Sequence, residues 1–367
     1  MATSTPQDPA APSASSAPPR PAALPGPLAD SLVFFASGAV LVLEILAARM
    51  LAPYVGVTLE TYTAIIGVVL AGIAFGTWAG GRLADLIDPR RMLGPVLVAG
   101  GLLALATLPL VRGLGELALA RGEASAIVLL ALFGFFPPAA VLSAVSPTVV
   151  KLQLASLRET GAVVGRLSAL GTAGALLGTF LTGFALVAEL GISPIIIGLG
   201  ATLVIAGIAL GLLLAASGHR RSVGGVLGVL AAALVLAGLG VASGSRCELE
   251  SAYYCARVEV DPARPSGRLL LLDTLRHSYV DLADPKRLEF DYARVIGDAI
   301  DVLRPPGRPL AALHIGGGGF TLPRYLAATR PGSRSTVLEL DPALPELARD
   351  RLGLETGPAL RVRTGDA

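Results

Sequence analysis

Charge is what this sequence lacks most. Only 15% of its 367 residues are Asp, Glu, Lys or Arg, against about a quarter in soluble globular chains. The net charge is +2, which excludes the broad basic footprint of a nucleic-acid-binding surface. Cysteine is scarce as well: Cys247 and Cys255 are the only two. Their spacing has none of the paired Cys/His pattern of a zinc site, so no metal is expected. Also missing is the basic start, short apolar middle and cleavage site of a secretory signal. The first apolar run therefore reads as a retained membrane helix.

What the sequence has is apolar length. Hydrophobic residues make up 53% of the chain and the mean hydropathy is +0.69, a composition whose natural partner is a lipid bilayer. Residues 1–29 are Pro/Ala/Ser-rich, as in Pro18-Pro19-Arg20-Pro21, and hold too few large apolar groups to offset the entropy of ordering. A disordered tail is expected there. Seven runs follow, at roughly 31–53, 61–84, 92–111, 125–150, 163–188, 192–215 and 222–242. Each is long enough to cross about 30 Å of hydrocarbon as a helix. They define a membrane domain over 30–243. Pro137, Pro138 and Pro147 in the fourth run predict a kinked or broken helix.

Positive charge near the helix ends sets the expected orientation. Arg82, Arg90, Arg91, Lys151, Arg158, Arg166, Arg220 and Arg221 fall in one set of connections, while the alternate set holds Arg112 and Arg121. The cell-membrane protein is thus expected to keep its N-terminus in the cytoplasm. After seven spans its C-terminal domain would lie outside. Gly72, Gly76 and Gly80, and again Gly174 and Gly178, recur at helical spacing and predict close helix packing. Glu44 in the first run is a functional candidate, because a carboxylate at membrane depth is costly without a partner. Arg49, five residues on, sits on a poorly matched face.

Past residue 243 the pattern changes to short alternating runs. Residues 256–260 and 268–273 read as strands, with turns at Asp261-Pro262 and Ser266-Gly267. Residues 286–303 have helical period, and this region, 247–308, forms a small β and helical part. Residues 309–367 then read as strand (310–315), glycine turn (316–319), helix from about Thr321, strand (335–341) and strand (360–363). Gly316, Gly317 and Gly318 would let the backbone approach a ligand at a helix N-terminus. Glu339, about twenty residues further, stands where an acid holds ribose hydroxyls, with Asp341 and Asp366 at neighbouring strand ends. The fold class is a polytopic α-helical membrane domain followed by a partial α/β Rossmann-like domain of the S-adenosylmethionine type. Cys247 and Cys255 form a possible disulfide in an oxidising compartment and free thiols otherwise.

Glu250-Ser251-Ala252-Tyr253-Tyr254, Gly267-Arg268 to Asp273, the 315–319 turn, Leu338-Glu339-Leu340-Asp341 and Gly365-Asp366-Ala367 together resemble the ordered motifs of the spermidine synthase family. The helical half, including Gly165-Arg166 to Gly183, resembles the helices of its membrane-bound relatives. Gly81-Arg82-Leu83-Ala84-Asp85 with Arg90-Arg91 resembles the latch loop of major facilitator transporters.

The resemblance implies transfer of an aminopropyl group from decarboxylated S-adenosylmethionine, or use of a related adenosyl compound, with a small polyamine-like or other amine as acceptor. It places Glu339 at the ribose and Asp366 beside the adenine. Three amine-side positions depart from the family: Tyr254 replaces a Gln, Ala293 after Tyr292 replaces a His, and Gly319 replaces an acid. The family's catalytic Asp would fall on a strand after Ala367. Tyr254, His277 and Asp281, with Tyr279, are the candidates for a substitute polar wall. Two alternatives stand beside this reading: a non-catalytic transporter-like or ligand-binding membrane protein, and a methyltransferase.

Overall fold

A computed structural model describes residues 24–119, 123–154, 160–214 and 223–367. Arg121, Arg158, Arg220, Arg221 and most of the expected tail lie outside the described residues. The helical half comprises α1 (Gly26–Val55), α2 (Leu59–Leu86), α3 (Pro89–Leu119), α4 (Glu123–Ser143), α5 (Val145–Gln153) and α6 (Thr160–Leu181). A π-helical turn (Thr182–Leu186) leads to α7 (Val187–Glu189), followed by α8 (Ile192–Leu214) and α9 (Val223–Ala242). Among the described residues, seven spans are long and apolar enough to cross a membrane. Large side chains such as Phe35, Trp78, Phe184 and Leu213 project outward from them.

The first helix starts earlier than the composition implies. Residues 26–29, expected in the tail, already belong to α1, because Pro27 sits in the first turn, where a missing N–H costs nothing. The fourth run is broken between Ser143 and Val145. Pro137 and Pro138 lie inside α4 without ending it; the interruption comes just ahead of Pro147.

Glycine decides how closely the helices approach. A Cβ on Gly76 would stand 1.9 Å from the Ala140 carbonyl oxygen of α4, and one on Gly174 would stand 2.0 Å from that of Phe34 in α1. Backbone therefore packs directly on backbone, the device available where lipid provides no hydrophobic drive between helices. At one end of this half, Lys151 from α5 donates to the Ala84 carbonyl (2.8 Å) and to Asp85 (2.5 Å), so the Gly81–Asp85 segment is latched to α5.

The remainder holds two sheets. The antiparallel one runs β1 (Leu249–Glu250), β2 (Cys255–Asp261), β3 (Arg264–Leu272), β4 (Leu275–Asp281) in that order. Here a turn prediction fails. Ser266 and Gly267 lie inside β3, because the chain reverses at 261–264 and Gly267 pairs with Asp281. The next helix, α10 (Asp291–Leu303), starts later than its period suggests. Arg294 reaches back to the Leu288 and Glu289 carbonyls and ties the preceding residues into a turn. The parallel sheet is β5 (Ala311–Ile315), β6 (Arg334–Glu339), β7 (Leu360–Thr364), connected through α11 (Thr321–Thr329) and α12 (Leu344–Arg351). Val337, Phe320, Leu347, Leu352, Leu270 and Ala256 bury one apolar core that joins the two sheets.

Candidate functional site

A cleft of about 470 Å³ opens at the carboxyl ends of β5, β6 and β7, where open parallel sheets receive ligands. In-register pairing fixes this edge: Ile315 lies beside Leu338, and Glu339 beside Thr364. Three chain reversals therefore stack together, each leaving its side chains and N–H groups at the rim. Gly316 (φ 88°) and Gly318 (φ 52°) take left-handed conformations that favour glycine. Phe320 (φ 57°), wholly buried, closes the turn and leads into α11.

Glu339 organises the glycine turn. One carboxylate oxygen accepts from Gly317 N–H (2.6 Å) and the other from Asp341 N–H (3.0 Å). A carboxylate has about four acceptor sites, so both oxygens keep capacity for ligand hydroxyls. Asp341 is buried, accepting from Ala343 N–H (3.0 Å) and from the Ser251 hydroxyl (2.5 Å). Asp366 is exposed at the rim, accepting from Ala367 N–H (3.0 Å).

The cleft brings together Gly316, Gly317, Gly318, Glu339, Asp341 and Asp366 with Tyr254 and His277. It does not include Asp281, and that expectation is corrected. Asp281 is buried and paired with Arg264 (3.2 Å), and it also accepts from Ala283 and Asp284 N–H groups. Burial pushes its carboxyl up, but hydrogen bonds from Ser266, those backbone groups and Arg264 outweigh this and hold it below the usual range. Tyr279 is likewise turned away. Its hydroxyl donates to Asp261 (2.8 Å), and burial together with that neighbour pushes its pKa up to about 12.

The reason is a β-bulge. Leu270 pairs with Ser278 but Leu271 pairs with Arg276, leaving His277 as the extra residue. Strict alternation would send His277, Tyr279 and Asp281 to one face. With the bulge, His277 and Ser278 both face the cleft, and the next two odd-numbered side chains do not. His277 Nδ1 lies 2.9 Å from the Ser278 hydroxyl, which also accepts from Gly319 N–H (3.0 Å). Burial pushes the His277 imidazole below its ordinary value, with Glu339 pulling the other way. The imidazole of His314, also in the lining, is lowered by burial too.

Ser278, His314, Tyr253 and Tyr292 are cleft residues that the motif reading does not reach as ligand-facing. For His314, strand alternation before the glycines is a usable signal; for Ser278, nothing local announces the bulge. Gly319 and Ala293 have no polar substitute at their positions. A Cβ on Gly319 would meet the Ser278 Cβ at 2.8 Å, and Ala293 is buried. Among the described residues, the lining contains three carboxylates, aromatic Tyr253, Tyr254 and Tyr292, and no Lys or Arg. It is a surface suited to a cation or an electron-poor ring, and unsuited to a phosphate. Among the described residues, no cluster of His, Cys, Asp or Glu is arranged to hold a metal ion.

The cleft is tied to the helical half. Arg49 of α1 donates to the Ser251 carbonyl (2.8 Å) and to that of Tyr253. Ser251 in turn caps its own loop, accepting from Tyr253 and Tyr254 N–H groups (3.1 and 3.2 Å). Cys247 and Cys255 are bonded to each other at the base of this loop.

No family model and no curated protein matches the chain. Among solved structures it is similar to a probable spermidine synthase from Corynebacterium glutamicum ATCC 13032, with 32% identity and a TM-score of 0.29. That likeness covers 31% of this chain, which spans only 42% of the other.

Proposed function

We propose that the cleft binds an adenosyl sulfonium compound and that the chain is a membrane-anchored, aminopropyltransferase-like protein. The observation that carries this reading is the set of three carboxylates around a glycine turn, with no basic side chain in the lining among the described residues. In this reading Glu339 accepts ribose hydroxyls, Asp366 faces the base, and the backbone of 316–318 approaches the nucleoside closely. The sulfonium charge is matched by the acids. A phosphorylated dinucleotide would meet like charge.

The chemistry this supports is a displacement at carbon. An unprotonated amine attacks the carbon attached to sulfur, the C–S pair returns to sulfur as a neutral thioether, and the new ammonium sheds a proton. The amine must lose its proton before attack, and tyrosines 253, 254 and 292 form the wall nearest to where it would enter. The reading without turnover is favoured by Gly319 and Ala293, which leave the amine side without the family's polar groups. Calorimetric titration of the purified full-length protein with S-adenosylhomocysteine and decarboxylated S-adenosylmethionine tests the site. Glu339→Ala should weaken binding by about tenfold to a hundredfold, since it removes an acceptor for ligand hydroxyls and leaves Gly317 N–H unpaired. Unchanged affinity would remove the basis of the proposal. Release of methylthioadenosine with any amine separates turnover from binding alone.

We also assign the end of the helical half that carries Arg82, Arg90, Arg91, Lys151 and Arg166 to the cytoplasm, and the cleft to the opposite side. The Cys247–Cys255 bond supports this. A topology reporter fused after residue 250 should be active only outside the cytoplasm; cytoplasmic activity would reverse the assignment.

A further inference from the structure

The loop closed by the Cys247–Cys255 bond supplies one wall of the cleft. The two cysteines stand eight positions apart, and the loop between them carries Tyr253 and Tyr254 into the lining. Its Ser251 hydroxyl donates to Asp341 (2.5 Å), just past the end of β6. The strand that leads into this loop is weak by itself. β1 is two residues long and lies at the edge of its sheet, well under the usual strand length. Two pairs, Leu249 with Ala256 and Glu250 with Cys255, set its register. Glu248 adds a backbone bond to Ala256 (3.0 Å) and an ion pair with Arg351. That pair is partly solvated, and such pairs are worth little.

The two ends of the loop are anchored unequally. Cys255 is buried, and its N–H and carbonyl both bond to Asp273 (3.1 and 2.8 Å), so β2 keeps its place without the bridge. Cys247 is half-buried, and its N–H reaches the neighbouring Ser245 hydroxyl (3.1 Å). The sulfur bridge is therefore the strongest tie between β1 and the sheet. From the other side, Arg49 of α1 holds the Ser251 and Tyr253 carbonyls. With the bridge cut, the loop is left to follow the helical half, and the tyrosine wall loses its fixed position against Glu339. The surroundings of the bridge are charged. Among the described residues, the cavity of about 20 Å³ that both cysteines line is also lined by Arg49, Arg112, Arg246 and Glu250. Cationic neighbours stabilise a thiolate, a help that cysteines in apolar surroundings lack. A stabilised thiolate also leaves faster in exchange.

We propose that the Cys247–Cys255 bridge is a redox-sensitive latch on the cleft, closed when oxidised and released by a dithiol. Its effect on ligand binding rests on the reading of the cleft as an adenosyl-compound site; its effect on the loop does not. In the step, a reductant thiolate attacks Cys247 Sγ, the more exposed sulfur, and the S–S electron pair leaves on Cys255 Sγ. The second reductant thiol, deprotonated, attacks the reductant's own sulfur in the mixed disulfide and expels Cys247 as a thiolate. Two electrons pass to the cysteines, the dithiol ends as a cyclic disulfide, and its two protons end on the cysteine sulfurs.

The test uses the full-length protein in lipid nanodiscs, with dithiothreitol as the dithiol and thiol alkylation of a sample to count reduced cysteines. Reduction should proceed in the folded protein, with elution unchanged. Hydrogen exchange of the amides of 249–254 should then quicken at least about tenfold, the mark of local opening, while exchange in α1 to α4 stays the same. Binding of radiolabelled S-adenosylhomocysteine should weaken about tenfold, the scale of one lost hydrogen bond to a charged group, and return on reoxidation. Cys247→Ser with Cys255→Ser should bind as weakly as the reduced parent and ignore dithiothreitol. If that variant does not fold, the reduced parent decides alone. If the oxidised parent binds no adenosyl compound, the cleft reading fails and the exchange measurement still decides the latch. The latch is overturned if the bridge is reduced only on unfolding, if exchange at 249–254 does not change, or if a parent that binds does so equally in both redox states.

Discussion

The helical half and the sheet half of this chain are held together by opposite means. In the helices, contact is made where side chains are absent: Gly76 on Ala140, Gly174 on Phe34, Gly178 on Gly38. In the sheets, contact is made where side chains are large, with Phe320, Val337, Leu347 and Leu352 filling a common core. The difference follows from the solvent each half would meet. Burying a Leu away from water is worth roughly 1.5–3 kcal/mol, but lipid tails are as apolar as Leu, so close backbone approach and dispersion remain as the means of association. Polar chemistry divides in the same way. Around the cleft, Glu339 accepts from backbone N–H groups and still keeps acceptor capacity, whereas in the helices hydroxyls such as those of Thr63, Thr179 and Thr202 are turned onto carbonyls of their own helix.

The sharpest way to break this contrast is to put side chains where the helices need none. Gly76→Val places a branched Cβ inside the Ala140 carbonyl and should cost at least about 3 kcal/mol, the upper range for overpacking. The expected outcome is loss of monodisperse protein in detergent. A variant that elutes and melts like the parent would show that the helices do not rely on backbone contact at this point. A smaller effect is expected at the junction. Arg49→Gln removes two charge-assisted bonds to the 251–253 loop and should weaken adenosyl-compound binding by about threefold to tenfold, with Arg49→Lys in between. The melting temperature of the helical half should not move. Equal affinity in all three proteins would show that the two halves are merely tethered, with the clasp playing no part in positioning Ser251 and Asp341.

How much was legible beforehand depends on the range of the interaction. The existence of seven spans, the strand–glycine–helix–strand order and the placing of Glu339 at a strand end are all properties of contiguous residues. The glycine rows at 72–80 and 174–178 announced close packing but not their partners. Less was visible around β4. His277, Tyr279 and Asp281 alternate in the chain, and only the pairing with β3, which slips by one residue at Leu271, separates the first from the other two. The expected turn at Ser266-Gly267 failed for a related reason, since a Ser-Gly pair within a strand carries the same local signature as one in a reversal. The Arg49 clasp joins residues about two hundred positions apart, and no periodicity carries that distance.

Hydropathy, helical period and turn chemistry were therefore enough to determine, from the chain alone, the seven apolar spans, the strand–glycine–helix–strand order and where the glycine turn stands. Those are local preferences, set by each residue's own side chain and its nearest neighbours. Tertiary structure alone decided which side chains share a cleft, which acid is spent on holding a loop, and which backbone carbonyl each packing glycine meets. Each of these depends on register and packing between distant segments, where a one-residue slip or a missing Cβ changes the outcome without leaving a trace in local sequence.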